Sequence, residues 1–167
     1  MEQSLRTDGK LECGDPEFAR EVLHRYADMV YRLALSQMKN PADADDVFQE
    51  VFLRLVRKRP SFQSEEHLKA WLIRVTINCA RKFWGSAWTR HTELMEYDGS
   101  YEMPELGELA EAVLRLPKKY RAVIHLYYYE GYSSKEIGRI LHLSASSVTS
   151  RLSRARKMLK DTWEGEE

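Results

Sequence analysis

The sequence has few of the residues that indicate a disulfide framework, a metal site or a bound cofactor. Its two cysteines, Cys13 and Cys79, lie far apart and belong to no C-x-x-C pair and no cysteine–histidine cluster with zinc spacing. Cys79 falls on an apolar helical stripe, which is typical of a buried free thiol. We therefore expect no metal and no cofactor, while a redox role for either cysteine stays open.

Motifs of catalysis and of membrane insertion are missing as well. The chain contains no G-x-G-x-x-G, no P-loop and no G-x-S-x-G, and its five histidines are scattered. No apolar run approaches the roughly 20 residues that span a bilayer. Residues 1–14 lack the apolar core of a signal peptide. These absences favour a cytoplasmic protein that is not an enzyme.

The formal net charge is zero, but the charges are unevenly distributed. Residues 67–90 contain Lys and Arg and no acid, whereas residues 91–112 contain acids and no Lys or Arg. From residue 114 onward the balance turns basic again. Two basic blocks separated by an acidic one predict two nucleic-acid surfaces, which the zero total conceals.

Hydrophobic periodicity predicts helices in the first half of the chain and no strand. After a flexible N-terminus of residues 1–14, Asp-Pro-Glu at 15–17 opens a first helix. Asn-Pro at 40–41 separates it from a second helix, and a third is expected over about residues 65–84. Three facing apolar stripes can bury a common core, so residues 15–88 are predicted to form one domain.

A second helical domain is predicted over residues 106–163. Residues 89–105 are acidic, contain glycine and proline and lack periodicity, which is typical of a linker. A helix is expected over residues 118–130 with Tyr127 facing inward, and two further helices flank a turn at residues 142–144. The predicted fold is all-α, with two small helical domains joined by an acidic linker, the second containing a helix-turn-helix.

The last two helices carry the chemistry of a helix-turn-helix. Ser133 and Glu136 have capping-box spacing at the start of the first helix. Small hydroxyl residues on the second helix can approach base edges, and arginines can pair with phosphate or guanine. The residues expected to be exposed there are Ser146, Ser147, Thr149, Ser150, Ser153, Arg154, Arg156 and Lys157. We predict that this helix binds DNA; the alternative is a basic surface helix with no ligand.

The third helix combines basic and aromatic residues. Arg74, Asn78 and Arg81 share one side at helical spacing, with tryptophans nearby. Charge for a backbone and flat faces for unstacked bases are what a single-stranded nucleic-acid surface requires. Trp71, however, is spaced with Leu68 as core residues are. The pattern alone therefore leaves a nucleic-acid site and an ordinary core helix both open.

Five segments, in order, resemble extracytoplasmic-function sigma factors. DADDVFQEVFLR at 43–54 resembles region 2.2, and WLIRVTIN at 71–78 resembles regions 2.3 and 2.4. LPKKYRAV at 116–123 and YYEGYSSKEI at 128–137 resemble region 4. SVTSRLSRAR at 147–156 resembles its recognition helix. The resemblance implies a sigma factor that binds core RNA polymerase and directs promoter recognition.

The resemblance also implies residue roles. The residues matching the surface that docks on the clamp helices of the largest polymerase subunit are Asp46, Gln49, Glu50 and Phe52. Those matching contacts to the −10 element are Phe62, Arg74, Asn78 and Arg81. Those matching contacts to the −35 element are Ser147, Thr149, Ser150, Arg151, Ser153, Arg154 and Arg156. Core polymerase and promoter DNA are the implied partners, and an anti-sigma factor is a further one that the family allows.

Phe62 lies in a predicted loop, residues 61–66, which resembles the loop that captures a base flipped from the −10 element. We therefore expect its ring to stay partly exposed; the alternative is that it packs back on the domain. Two features depart from the family. The third helix ends in FWGSAW at 83–88 in place of a run of arginines, and the loop is acidic at 64–66. The first weakens the expected electrostatic contact with the −10 region, and the second leaves the base preference of the loop open.

Other functions explain less of the chain. A helix-turn-helix repressor or activator that acts as a dimer, without polymerase, would account for the second domain. It would not account for the acidic face of the second helix or for the charged and aromatic third helix. An adaptor for another protein requires both basic faces to be ordinary solvated surface.

Overall fold

The computed structural model describes residues 11–12, 16–91 and 107–165, with side chains over residues 16–84 and 107–165. The chain folds as two compact units, Met1–Ala87 and Trp88–Glu167. Apart from one pair of two-residue strands, the regular elements of the described residues are helical. The predicted all-α class is therefore confirmed. Cys13 and residues 92–106, which hold most of the acidic stretch, lie outside the described residues.

The first unit contains α1 (Pro16–Met38), α2 (Pro41–Lys58) and all but the last four residues of α3 (Glu65–His91). The expected break at Asn-Pro is present, because the Asn40 side chain accepts a hydrogen bond of 2.9 Å from the Asp43 backbone N–H. Helix α2 ends where Arg59 takes a left-handed conformation, φ 43°. Helix α3 extends beyond the predicted end at residue 84, to His91.

The segment predicted as a plain loop forms a short strand. β1 (Leu11–Glu12) and β2 (Ser61–Phe62) pair antiparallel, with Leu11 opposite Phe62. The three helices of this unit bury one apolar core. Its fully enclosed side chains include Val22, Val30, Leu33, Val51, Leu55, Leu68, Leu72 and Ile73.

The second unit contains α4 (Gly107–Arg115), α5 (Lys118–Ile124), a π-helical turn (His125–Tyr129), α6 (Ser134–Leu141) and α7 (Ala145–Gly165). Helices α4, α5 and α6 each pack against α7. Arg121 is buried in this unit, where its guanidinium donates to the Leu116 carbonyl oxygen. Burial lowers the pKa of Arg121 to about 10, so the side chain is still charged near neutral pH.

The π-helical turn corrects the prediction of one continuous helix over residues 118–130. The Glu130 N–H donates to the His125 carbonyl oxygen, five residues earlier, at 3.2 Å. Such a turn holds one residue more than an α-helical turn and rotates the residues after it to a different side. Leu126 is buried, and Tyr127, which was expected to face inward, is exposed together with Tyr128 and Tyr129.

Candidate nucleic-acid interface

Helix α6 begins at the predicted capping box. Ser133 Oγ accepts from the Glu136 N–H at 3.2 Å, and the Ser133 N–H donates to Glu136 Oε2 at 2.8 Å. These hydrogen bonds to Ser133 hold the pKa of the Glu136 carboxyl below its usual value. Two backbone donors at the helix start are thereby satisfied, which confirms the predicted capping box.

The turn between α6 and α7 is tight and depends on a glycine. Helix α6 ends at Leu141, and the next residue, His142, is left-handed at φ 57°. The Leu143 N–H donates to the Gly138 carbonyl oxygen at 2.8 Å. A Cβ atom at Gly138 would lie 2.6 Å from the Leu143 carbonyl oxygen. Only glycine therefore lets the turn pass so close to α6, and this passage sets where α7 begins.

The start of α7 is fixed by hydroxyl groups. Ser144 Oγ accepts from the Ser147 N–H at 3.1 Å and donates to Ser147 Oγ at 2.8 Å. Thr149 Oγ1 donates to the Ala145 carbonyl oxygen at 2.9 Å. Local bonds therefore orient the hydroxyl oxygens before any ligand arrives. Sequence reasoning had missed Ser144 as the residue that caps α7.

The outer side of α7 carries the residues predicted to contact DNA. Val148, Leu152 and Ala155 are buried and anchor the helix to its unit. Six of the residues matched to the −35 element are exposed around the rest of the helix, whereas Arg151 is half-buried. The exposed residues are Ser147, Thr149, Ser150, Ser153, Arg154 and Arg156. The helix thus presents hydroxyl groups near its N-terminus and guanidinium groups after them.

Arg156 is held by two tyrosines that sequence reasoning did not include in the site. Its Nε donates to Tyr128 Oη at 2.7 Å. The guanidinium carbon lies 5.6 Å from the ring centroids of both Tyr127 and Tyr128. The two rings meet edge to face, 5.0 Å apart. The tyrosine run at residues 127–129 was visible in the sequence, but only the π-helical turn shows that it faces outward.

In the first unit, α3 exposes Asn78 and Arg81, while Arg74 is half-buried on the preceding turn. The spacing of i, i+4 and i+7 places the three residues on one side of the helix, as predicted. The rings of Trp71 and Trp84 are engaged with other residues of the unit. Trp84 Nε1 donates to the Gln37 carbonyl oxygen at 3.2 Å, which ties the indole to α1. Trp71 is half-buried, so neither ring is a freely exposed stacking platform.

The expectation that Phe62 stays partly exposed is wrong. Its side chain is 1% exposed, and its ring meets the Trp71 and His67 rings edge to face at 5.6 and 5.4 Å. The reason is the strand, in which successive side chains alternate: Ser61 is exposed and Phe62 points into the core. Burying a phenylalanine side chain stabilises a protein by about 1.5–3 kcal/mol, so packing outweighs exposure here.

The acidic start of α3 is partly neutralised by α1. Glu65 Oε1 accepts from the Tyr26 hydroxyl at 2.9 Å and pairs with the Arg25 guanidinium. Burial, together with these contacts, raises the pKa of Tyr26 well above its usual range. The Glu65 charge is therefore compensated within the protein, which reduces the repulsion of DNA expected from the acidic segment.

Helix α2 presents a mixed acidic and apolar face. Asp46 and Gln49 are exposed, and Leu53 and Val56, 44% and 51% exposed, follow on the same side of the helix. Sequence reasoning had missed these two, which stand out only as apolar residues on the polar side of an amphipathic helix.

Two of the residues matched to polymerase docking are engaged within the protein. Glu50 Oε1 accepts from Arg54 Nε at 2.9 Å. The Phe52 ring packs on Phe48, with centroids 4.8 Å apart. Both residues are half-buried, so they lie at the edge of the exposed face of α2.

Cys79 is buried, as predicted, and burial raises the pKa of its thiol.

Over residues 16–84 and 107–165, no group of three His, Cys, Asp or Glu residues is placed to hold a metal ion. No helix among the described residues is long and apolar enough to cross a membrane.

Family models and relatives match both units. Residues 22–90 match the model of sigma-70 region 2, and residues 106–159 match that of sigma-70, region 4. The chain is 28% identical to the ECF RNA polymerase sigma factor SigW of Bacillus subtilis, over 90% of this chain and 91% of that protein. It is 30% identical to the ECF RNA polymerase sigma factor EcfG of Rhodopseudomonas palustris, over 75% of this chain and 74% of that protein.

Solved structures share the fold. The sigma factor RpoE, in complex with the anti-sigma factor NepR from Bartonella quintana, superposes with a TM-score of 0.68 at 24% identity, over 92% of this chain and all of that one. CnrH in complex with the cytosolic domain of CnrY gives a TM-score of 0.67 at 24% identity, over 92% of each chain. The sequence matches to both regions and to whole relatives show that this chain belongs to the extracytoplasmic-function sigma factors, which bind core RNA polymerase and direct transcription initiation at promoters.

Proposed function

We propose that α2 is the surface by which this sigma factor docks on the clamp helices of the largest polymerase subunit. The exposed face of Asp46, Gln49, Leu53 and Val56 supports this role. Exposed apolar side chains on a helix cost solubility unless a partner covers them, and neighbouring acids select a basic partner. Glu50 and Phe52 border the face and shape its edge.

We propose that the second unit recognises the −35 element of the promoter through α7. The observation behind it is one helix with hydroxyl groups fixed at its start and Arg154 and Arg156 exposed beyond them. A helix in this position of a helix-turn-helix enters the major groove with its N-terminal residues on the base edges. Arg151, half-buried, is assigned to a phosphate.

Helix α3 is assigned to the −10 element. Asn78 offers both a donor and an acceptor, and Arg81 supplies positive charge on the same side of the helix. Arg74 completes the side from one turn earlier. Phe62 has no part in this assignment, since its ring belongs to the core of the first unit.

The remaining proposals concern organisation. Residues 15–88 and 106–163 form the two functional domains, and residues 89–105 are the linker between them. The acidity of that linker suits a path through the positively charged channels of a polymerase. We propose that the chain works in the cytoplasm without catalytic activity, and that an anti-sigma factor controls it, by analogy with the complex of RpoE and NepR.

The docking proposal is tested by capture of core polymerase without DNA. Leu53→Ser and Val56→Ser should each weaken capture by about fivefold to thirtyfold, the range expected for a central interface residue worth about 1–2 kcal/mol. Leu23→Ser on α1 is the matched control, because Leu23 is an exposed apolar residue of similar accessibility, at 39%. Equal capture by all four proteins would contradict the proposal, and capture of no polymerase at all would favour a stand-alone DNA-binding regulator.

A further inference from the structure

Arg156 stands out among the exposed basic residues of α7 because its guanidinium is held by another element. The Nε–H bond to Tyr128 Oη, at 2.7 Å, crosses from α7 to the π-helical turn, 28 residues earlier. Both tyrosine rings also lie within cation–π distance of the guanidinium, at 5.6 Å. Among the residues that the structure describes, Arg156 has no acidic partner, so its positive charge is not neutralised.

The hydrogen bond to Tyr128 uses only one of the N–H donors of the Arg156 guanidinium. An arginine has five N–H donors in a planar fork. The bond to Tyr128 occupies the inner one, at Nε, and the terminal nitrogens make no hydrogen bond to any described residue. Those terminal nitrogens are the donors that pair with a phosphate in a bidentate manner. The tyrosine therefore fixes the plane of the guanidinium without consuming the donors that an anion needs.

Fixing the side chain in advance has a consequence for binding. A free arginine loses much of its rotamer freedom when it binds, and this loss opposes association. The hydrogen bond and the two rings already restrict the rotamers of the Arg156 side chain in the unbound protein. The π-helical turn is what makes this contact available, because it brings Tyr127 and Tyr128 to the surface.

We propose that Tyr128 is a positioning residue for DNA recognition, holding the Arg156 guanidinium in the orientation in which it binds a phosphate of the −35 element. The inference rests on the proposed role of α7. Tyr128 acts through Arg156, and the ring of Tyr127 supports the guanidinium from the side. The consequence is that a residue outside the recognition helix sets the affinity of that helix for DNA.

The test is a double-mutant cycle on the full-length chain bound to core polymerase, with a duplex that contains the −35 element of a mapped promoter. Tyr128→Phe should weaken duplex binding by about threefold to fivefold, the effect of losing one hydrogen bond of ordinary net strength. Arg156→Ala should weaken binding further and lower the salt slope by about 1, as loss of one phosphate contact does. In the Arg156→Ala background, Tyr128→Phe should have no further effect.

Tyr129→Phe is the matched control. Tyr129 is exposed beside Tyr128, but its ring stacks on His125, with centroids 5.2 Å apart, and makes no contact with Arg156. This variant should bind the duplex as the parent does. Thermal unfolding of every variant, measured by circular dichroism, shows whether a loss of duplex binding results from a destabilised fold.

Three results with Tyr128→Phe would overturn the assignment. Tyr128→Phe could bind the duplex as tightly as the parent, or weaken binding equally with and without Arg156, which would indicate a general structural effect. It could also bind more tightly, which would mean that the tyrosine holds Arg156 away from DNA. If the parent itself gains no affinity from the −35 sequence, the proposed function of α7 fails and the positioning role fails with it.

Discussion

Substitution of Gly138 by alanine tests the geometry of the helix-turn-helix most sharply. The added Cβ would lie 2.6 Å from the Leu143 carbonyl oxygen, about 0.8 Å inside the 3.4 Å at which ordinary contact begins. The obstacle is backbone, which cannot rotate away as a side chain can. Either the turn at Leu143 moves or α6 does, and in both cases the start of α7 moves relative to α6.

Two opposing effects set the magnitude. Overpacking by one methyl group in a close-packed site costs about 1–3 kcal/mol. Alanine is favoured over glycine inside a helix by about 0.8–1.0 kcal/mol, which offsets part of that cost. We expect a net loss of about 1 kcal/mol, concentrated in the second unit.

Hydrogen exchange measured by mass spectrometry reports this change locally. Amides of α6 and α7 should exchange about fivefold faster in Gly138→Ala, the factor that corresponds to about 1 kcal/mol. Amides of α1 and α2 should be unaffected. The matched control is Gly165→Ala, since nothing lies within 4 Å of a Cβ at that position. Unchanged or slower exchange of α6 and α7 in Gly138→Ala would show that the turn does not pass so close to Gly138.

Three further predictions concern other parts of the molecule. Phe62→Ala should lower the free energy of unfolding of the first unit by about 3–5 kcal/mol in urea titrations, whereas Ser61→Ala, at the exposed neighbouring position, should change it by under about 0.5 kcal/mol. A Phe62→Ala variant that is as stable as the parent but opens promoters slowly would indicate that the ring contacts DNA. Because the pKa of Glu136 is lower in the folded protein, its stabilising effect is present above the usual carboxyl value of 4.5 and is lost as the pH falls through the folded pKa. Glu136→Gln should therefore lose less stability than the parent between about pH 6 and pH 3. The same change in the free energy of unfolding with pH in both proteins would contradict a stabilising role of the Glu136 carboxylate. Arg154→Ala should weaken −35 binding by about 1–3 kcal/mol if the arginine reads a base, and changing that base pair should then cost the variant nothing more; an equal loss on every duplex would indicate a phosphate contact.

Local signals predicted much of this fold from sequence. The helix break at Asn40, the capping box at Ser133 and the turn after His142 each depend on residues close together in the chain. They could be predicted because capping and turn chemistry act over three or four residues. The exposed residues of α7 were predicted equally well, since all eight expected at its surface, from Ser146 to Lys157, are exposed.

The features that sequence reasoning missed depend on contacts between distant residues or on rare geometry. The pairing of Leu11 with Phe62 joins segments far apart in the chain, and two-residue strands are too short to show an alternating pattern. The π-helical turn has no propensity signal of its own, so Tyr127 was assigned to the wrong face. Leu53 and Val56 were missed because an apolar residue on a polar face becomes informative only when its exposure is known.

We propose that both units of this chain together give core RNA polymerase its promoter specificity. Run-off transcription with purified core polymerase, combined with mapping of the start sites, tests it most directly. The parent protein should start transcription at defined sites preceded by common −35 and −10 sequences. The double variant Leu53→Ser, Val56→Ser should lose this activity while keeping the parent's helical content. Transcription that is independent of the protein, or initiation that the double variant supports as well as the parent does, would contradict the account.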